Sequence, residues 1–341
     1  MIILLDAMGG DNAPDAVIKG AVRAAKEIKS EICLIGDTKI INDKVKEFFG
    51  KDKIEEVASN IKIQHATETI SMEDIPTQAI RQKKDSSMVV GFNMLKEGKG
   101  DVFISAGNSG ALLTGATLLV GRIKGVERPP LAPLVPNMKG FSLLVDCGAN
   151  VDARPSQLVQ FAKMGSIYME HILGVKNPKV AILNIGAEEE KGNALVKETF
   201  PLLKECKDIN FVGSIEARDI PYGEVDVIVC EAFAGNVALK VMEGTAKVLT
   251  KMIKNAMMQS LTTKVGAMLV KPALKSVVNR FDTSENGGAP LLGLNGLVVK
   301  THGSSTSVEI CNSILQCVTF KEQKINEKIA EVIQKKEEVN E

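Results

Sequence analysis

The chain has 341 residues, a length that allows about two domains and a core that needs no disulfide or metal support. Its 42 basic residues balance 42 acidic ones and 45% of its residues are hydrophobic, which excludes an acidic disordered protein, a histone-like DNA coat and a collagenous repeat. Aromatic residues make up 4% of the chain, so base-stacking surfaces are scarce and no nucleic acid partner is expected.

Short apolar runs alternate with amphipathic helical patterns, which predicts the α/β class with a mostly parallel sheet. The first strand is predicted at Ile2–Asp6, and the first helix at 14–29 with Asn12 as its N-cap. Six further buried strands are predicted at 32–36, 102–105, 142–146, 180–184, 225–230 and 297–300.

No repeat of fixed period and no Pro-, Gly- or Ser-rich linker divides the chain, so a single domain over residues 1–320 is the simpler organisation. A helical insertion is predicted at about 237–282. Residues 321–341 are predicted to form a charged, solvated helical tail that frays. The thin apolar stripe of this tail consists of Ile325, Ile329, Val332 and Ile333.

The insertion departs from the overall charge balance. Between Glu243 and Asp282 there is no acidic residue, whereas the Lys and Arg residues there give a local charge of +7. Met and aliphatic residues recur between them at partly helical spacing. This pattern predicts a basic, Met-rich amphipathic helical pair.

Six cysteines are scattered along the chain, with no Cys-x-x-Cys pair and no His at metal-ligand spacing, which indicates reduced thiols. The chain begins with a strand-like run and shows no export signal, so a cytoplasmic location is expected. The longest apolar stretch, around 111–121, is well short of the ~20 residues of a spanning helix, so no membrane crossing is expected.

Gly and Asn follow the end of a predicted strand four times, in the turns 105–110, 146–150, 184–193 and 233–236. Open parallel sheets bind ligands at this edge, where helix N-termini present N–H groups to anions. One such turn is an ordinary structural feature, but the recurrence predicts an anion site. The loops 6–14 and 302–305 add glycines beside polar side chains.

Common cofactor and nucleophile motifs are missing from the sequence. It has no G-x-G-x-x-G, Walker A, G-x-S-x-G or H-E-x-x-H motif, and only three His residues. We therefore expect no nucleotide cofactor, no metal and no covalent intermediate. Cys147, at the end of a predicted strand, is interpreted as a packing residue.

In these motifs the sequence resembles the PlsX-type phosphate acyltransferase family of bacterial phospholipid synthesis, from Met1 to about Gln316. The matching segments occur in the family's order. They are DAMGGDNAP at 6–14, SAGNSGA at 105–111, GAN at 148–150, KGN at 191–193, GN at 235–236, GGAPLLG at 287–293 and HGSS at 302–305. Two positions depart from the family pattern. Glu231-Ala232 stands where the family usually has Asp-Gly, and Asn286 stands where it usually has Tyr.

The resemblance implies transfer of a long-chain acyl group from an acyl carrier protein thioester to inorganic phosphate, which gives acyl phosphate. It implies a three-layer α/β sandwich similar to phosphotransacetylases and isocitrate-dehydrogenase-like enzymes, with the helical pair inserted. It also implies a homodimer, and a glycerol-3-phosphate acyltransferase that acts downstream.

Direct attack of phosphate on a thioester requires a held anion and a stabilised oxyanion. The catalytic candidates are Lys191 for positive charge, Asn236 for a hydrogen bond, and His302 as a general acid or phosphate ligand. Lys191 has an alternative role as a solvated charge beside residues 188–190, and His302 as the organiser of its turn. For Asp6 or Asp11 the alternative is helix capping. The phosphate- and substrate-binding candidates are Asp6, Gly9, Gly10, Asp11, Gly107, Asn108, Ser109, Gly110, Asn150 and Asn193.

The basic helical pair has three compatible interpretations: a dimer core, a peripheral membrane anchor, or a dock for an acidic acyl carrier protein. Ordinary packing of its Met residues is the structural alternative. The resemblance favours membrane contact. The candidate contact residues are Lys254, Met257, Met258, Leu261, Lys264, Met268 and Leu269.

Three other functions stay open at this point. A phosphotransacylase that uses coenzyme A thioesters would share the architecture. In a non-catalytic module that binds a lipid surface or a carrier protein, the Gly-Asn turns would be structural only. A decarboxylating dehydrogenase of related fold is disfavoured, because the carboxylate cluster that its metal needs is not evident.

Overall fold

The computed structural model describes residues 1–280 and 287–334. In these ranges the strands are β1 (Ile2–Asp6), β2 (Glu31–Gly36), β3 (Ile61–His65), β4 (Val102–Ser105), β5 (Leu134–Asn137), β6 (Gly140–Val145), β7 (Lys179–Asn184), β8 (Asn210–Glu216), β9 (Val227–Val229), β10 (Ala289–Leu291) and β11 (Leu297–Lys300). The α-helices are α1 (Asp15–Ala25), α2 (Thr38–Phe49), α3 (Pro76–Gln82), α4 (Ser87–Lys96), α5 (Ser109–Gly115), α6 (Pro155–Ile172), α7 (Ala194–Lys204), α8 (Ala232–Met257), α9 (Leu261–Arg280), α10 (Ser307–Glu322) and α11 (Ile325–Gln334).

The described residues group into two compact units. The first unit consists of Met1–Pro133, Glu170–Gly174 and residues 287–334. The second consists of Leu134–Met169 and residues 175–280, and it interrupts the first unit in the sequence. This division is finer than the single domain predicted for residues 1–320.

The first unit contains a six-stranded sheet in the order β10-β11-β4-β1-β2-β3. All neighbours pair in parallel except β10 and β11. The central strands form the core, since β1 places Ile3, Leu4 and Leu5 out of solvent. Because β1, β4 and β11 are parallel neighbours, their carboxyl ends lie side by side at one edge of the sheet.

The second unit contains a five-stranded sheet in the order β5-β6-β9-β7-β8, in which only β5 is antiparallel to its neighbour. Its core gathers Leu144, Ala181 and Ile228 from the three central strands. The carboxyl ends of β6, β9 and β7 therefore also lie next to each other at one edge. The predicted α/β class with mostly parallel strands is confirmed.

All seven predicted strands are present, and the four that were not predicted lie at sheet edges. They are β3, β5, β8 and β10. Central parallel strands are buried on both faces and appear in the sequence as continuous apolar runs, whereas edge strands do not. For example, β3 reads IKIQH and is mostly exposed or half-buried, and β5 contains Pro136.

The predicted cap of the first helix is wrong. Helix α1 begins after Pro14, and no side chain caps it. Instead, the Asn12 side-chain amide donates hydrogen bonds to the carbonyl oxygens of Ser304 at 2.9 Å and Ser305 at 3.2 Å. Asn12 has two N–H donors and uses them to join the loop after β1 to the loop after β11.

The C-terminal tail forms the predicted helix in its described part, α11, but this helix is not solvated on its apolar side. Ile325, Ile329 and Ile333 on α11 are buried, so the apolar stripe packs against the protein. Residues 335–341 lie outside the described residues. The predicted helical pair is present as α8 and α9, although positions 281–282 of the predicted insertion and Asn286 also lie outside the described ranges. None of the helices within 1–280 and 287–334 has the length and apolar character needed to span a bilayer.

Candidate active site

Three loops contact each other at the carboxyl edge of the first sheet. We call these loops, residues 6–14, 105–110 and 300–305, the sheet-edge site. The Asp11 N–H donates to the carbonyl oxygen of Gly303 at 2.7 Å, in addition to the two bonds from Asn12. A Cβ on Gly10, which has a φ of +106°, would lie 2.8 Å from the Ala106 side chain and 3.0 Å from the Gly303 oxygen. The loops after β1, β4 and β11 are therefore in van der Waals contact.

Asp6 is the buried centre of the sheet-edge site. Its carboxylate accepts a hydrogen bond from the Ser105 hydroxyl at 2.7 Å and another from the Met8 N–H at 3.1 Å. The Ser105 oxygen in turn accepts from the Gly107 N–H at 3.0 Å. Burial raises the pKa of the Asp6 carboxyl, and these donors oppose the shift. Asp6 therefore organises the loops and does not cap a helix.

In the turn after β4, the Asn108 side chain makes structural hydrogen bonds. The Asn108 side chain caps α5 by accepting from the Ala111 N–H at 3.0 Å, and it donates to the carbonyl oxygens of Ser71, Met72 and Asp74. The Asn108 amide is therefore fully engaged within the first unit. The backbone N–H groups of Ser109 and Gly110, by contrast, find no acceptor among the described residues.

His302 adopts the predicted alternative of a turn organiser. Its Nδ1 accepts from the Ser304 N–H at 3.2 Å and lies 2.8 Å from the Ser304 hydroxyl oxygen. A neutral ring with Nδ1 as the acceptor carries its proton on Nε2. The imidazole is exposed, so Nε2 is the nitrogen left for a substrate.

Sequence reasoning missed Lys300. It ends β11 opposite Ser105, and its ammonium donates to the carbonyl oxygen of the next residue, Thr301, at 2.5 Å. Burial lowers the pKa of this ammonium to about 8, and the negative charges of Asp11 and Asp6 only partly oppose the shift. The signal in the sequence is a Lys that closes an otherwise apolar strand directly before the His302 loop.

The carboxyl edge of the second sheet is organised by a second buried carboxylate. Asp146 follows β6 and accepts from the Ala149 N–H at 3.2 Å, and from the Asn150 N–H and side-chain amide at 2.7 Å each. The Asn150 carbonyl oxygen accepts from the Ala232 N–H and so joins this loop to the start of α8. Asn150 thus folds the loop with its side chain.

Cys147 follows this buried carboxylate and lies in the hydrophobic core of the second unit. Burial raises the pKa of its thiol to about 12. The side chain is therefore a neutral packing group, as predicted from the sequence.

Asn236 lies on the first turns of α8. Glu231, at the first of the two positions that depart from the family pattern, caps this helix by accepting from the N–H groups of Phe233 and Ala234. Gly235 touches the loop after β6, since a Cβ there would lie 2.1 Å from the Asp146 carbonyl oxygen. The half-buried Asn236 amide has no hydrogen-bond partner among residues 1–280 and 287–334.

Lys191 follows β7, the parallel neighbour of β9, and so lies at the same sheet edge as Asn236. Its ammonium forms an ion pair with Glu188 at 3.0 Å, and both side chains are about half-exposed. Its backbone is held because the Asn184 amide donates to the Lys191 carbonyl oxygen at 3.2 Å. Asn193 caps α7 by accepting from the Val196 N–H at 2.9 Å.

The structure thus brings the sequence candidates together in two groups, one at each sheet edge. The first unit contains Asp6, Gly9, Gly10, Asp11, residues 107–110 and His302. The second unit contains Asn150, Lys191, Asn193 and Asn236. In the described part of the chain, no group of three or more His, Cys, Asp or Glu side chains is arranged to hold a metal ion.

Comparison with known proteins gives a family and a fold. The family model described as "Fatty acid synthesis protein" matches residues 1–328. The phosphate acyltransferase of Acetivibrio thermocellus is 50% identical over 330 residues, which cover 96% of this chain and 95% of that protein. The phosphate acyltransferase of Alkaliphilus oremlandii is 50% identical over 332 residues, which cover 97% of each protein.

Among solved structures, a phosphotransacetylase from Streptococcus pyogenes superposes with a TM-score of 0.61 at 14% sequence identity. The match covers 93% of both chains. At this identity the likeness concerns the fold, and it agrees with the architecture expected from the sequence.

Proposed function

The chain is an acyltransferase that belongs to the phosphate acyltransferase family, and we propose that it transfers a long-chain fatty acyl group from acyl carrier protein to inorganic phosphate. One observation carries this proposal: three glycine-containing loops contact each other at one edge of a parallel sheet. The N–H groups of Ser109 and Gly110 lie at this edge and are unpaired among the described residues. Backbone donors of this kind suit a phosphate anion.

In the proposed reaction a phosphate oxygen attacks the thioester carbon and the C–S bond breaks. The sulfur leaves on the carrier protein as a thiolate, and the acyl group remains bonded to the phosphate oxygen as acyl phosphate. A thiolate is a good leaving group, so the step depends mainly on positioning of the phosphate and on stabilisation of the charge that develops on the thioester oxygen.

We assign to Lys191 and Asn236 of the second unit the stabilisation of the negative charge that develops on the thioester oxygen. The Asn236 amide needs no rearrangement, because the described residues leave it unpaired. Lys191 must first leave Glu188, but solvent screens an ion pair this exposed, so its opening costs little. The His302 Nε2 is assigned to the phosphate or to the departing thiol.

The proposed function predicts thiol release that requires both substrates. Release of carrier thiol from long-chain acyl carrier protein should occur with inorganic phosphate and stop without it, and acyl phosphate should accumulate in equal amount. A preference for acyl-coenzyme A as the donor would instead identify a coenzyme A phosphotransacylase. Absence of phosphate-dependent release with either donor would contradict the proposal and favour a binding module.

Lys191→Ala should lower turnover by roughly 10²–10³-fold, the usual loss when an oxyanion donor is removed. Lys204→Ala is the matched control, because Lys204 forms a comparably exposed ion pair with Glu189 at 2.7 Å on the same unit. Steady-state thiol release measures both variants. Wild-type turnover in Lys191→Ala, or an equal loss in Lys204→Ala, would remove Lys191 from the proposed mechanism.

We also propose peripheral membrane contact through α8 and α9, together with a homodimer and a cytoplasmic location. Six of the seven candidate contact residues are exposed, and only Met257 is half-buried. Leu261 is 82% exposed, Leu269 is 79% exposed and Met268 is 68% exposed. Packing within this chain therefore does not account for these side chains. Apolar side chains beside Lys254 and Lys264 suit an anionic membrane surface.

Leu269→Glu should weaken binding to vesicles that contain anionic lipid, because it removes apolar area and adds a negative charge. Leu202→Glu on α7 is the control, since Leu202 is an exposed apolar residue outside the helical pair. Sedimentation with vesicles at low and high salt measures the bound fraction. Equal supernatant fractions of the wild-type protein with and without lipid would defeat the membrane proposal.

A further inference from the structure

Lys300 is a basic residue at the sheet-edge site, at the end of strand β11. It pairs in register with Ser105 on the neighbouring strand β4. Ser105 in turn donates its hydroxyl hydrogen bond to Asp6 at the end of β1. Lys300, Ser105 and Asp6 therefore occupy the carboxyl ends of three adjacent parallel strands, all in the first unit.

The Lys300 ammonium is incompletely satisfied. It has three N–H donors, and the described residues supply one acceptor, the carbonyl oxygen of Thr301. No carboxylate within the described ranges lies within 4.0 Å of its nitrogen. A half-buried cation with unfilled donors and no ion-pair partner is poorly compensated, so such a group usually faces an anion or titrates.

The neighbouring carboxylates do not fill this role. Asp6 accepts from the Ser105 hydroxyl and the Met8 N–H, and Asp11 lies on the exposed part of its loop. The charged or titratable groups around Lys300 are Asp6 at the end of β1, Asp11 in the loop after β1, and His302 in its own loop. Their effect is too weak to restore the pKa of Lys300, which burial lowers to about 8.

We propose that Lys300 binds the inorganic phosphate that acts as the nucleophile, an inference that rests on the proposed function. Orthophosphate would supply acceptor oxygens for the two unused N–H donors and a compensating negative charge. The site around it is built for a small anion, because glycines at 9, 10, 107 and 303 bring the loop backbone close to this edge. Lys300 is a substrate-binding residue in this assignment.

Equilibrium binding of inorganic phosphate to the full chain, measured by titration calorimetry, tests the proposal without any acyl donor. Lys300→Met should weaken binding roughly 10- to 100-fold at pH 7, the usual cost of losing a hydrogen bond to a charged group. Lys46→Met is the control, because Lys46 is an exposed lysine of the first unit paired with Asp52. The control should bind phosphate as the wild-type protein does.

The pH dependence separates binding from a structural role. The Lys300 contribution to wild-type affinity should be full well below pH 8 and fall as the pH rises through 8, because the ammonium loses its proton there. Lys300→Arg should keep its affinity at high pH, since a guanidinium stays protonated. Titration of phosphate itself affects both proteins equally, so the difference between them reports on Lys300. This comparison also decides the matter if thermal unfolding shows that Lys300→Met does not fold.

The assignment would be overturned by unchanged phosphate affinity in Lys300→Met. It would also be overturned by identical pH profiles for Lys300→Arg and the wild-type protein. Failure of the proposed function has a different signature. In that case the wild-type protein would bind phosphate through Lys300 but release no thiol from acyl carrier protein.

Discussion

The buried carboxylate of Asp6 is the constraint on which the sheet-edge site depends. A carboxylate is tolerated out of solvent only where donors satisfy it, and here the Ser105 hydroxyl and the Met8 N–H do so. Because Ser105 also accepts from the Gly107 N–H, one chain of hydrogen bonds fixes the loops after β1 and β4. Gly9 approaches so closely that a Cβ there would lie 2.3 Å from the Asp6 oxygen. The loop backbone is thus set before any anion arrives, as electrostatic preorganisation requires.

The two candidate lysines differ in how they are held, and this difference suits the roles proposed for them. Lys300 is half-buried at the end of β11, and burial lowers the pKa of its ammonium to about 8. Lys191 is half-exposed and paired with Glu188. Lys300, whose charge has no ion-pair partner in the described part of the chain, is suited to bind a small anion such as phosphate. Lys191, on an exposed side chain, is suited to stabilise the charge on the thioester oxygen, which is present only when the large carrier protein is bound.

The sequence predicted the central strands and the position of the catalytic candidates, because a buried parallel strand followed by Gly and Asn is a local pattern. It could not predict which side chains the fold uses for its own hydrogen bonds. Asn12, Asn108 and Asn193 all sit in loops that resemble ligand sites, yet Asn12 joins two loops and the other two cap helices. Lys300 was missed for the opposite reason, since only the pairing of β11 with β4 shows that this lysine lies opposite Ser105 at the sheet-edge site.

In the proposed reaction, bound phosphate attacks the thioester itself, without an acyl-enzyme intermediate. Exchange of labelled carrier thiol into unlabelled acyl carrier protein distinguishes the two routes. Direct attack predicts that label enters the thioester only when phosphate is present, because the reverse reaction needs acyl phosphate. Exchange at a comparable rate in phosphate-free buffer would show that the enzyme itself accepts the acyl group, and it would exclude direct attack by phosphate.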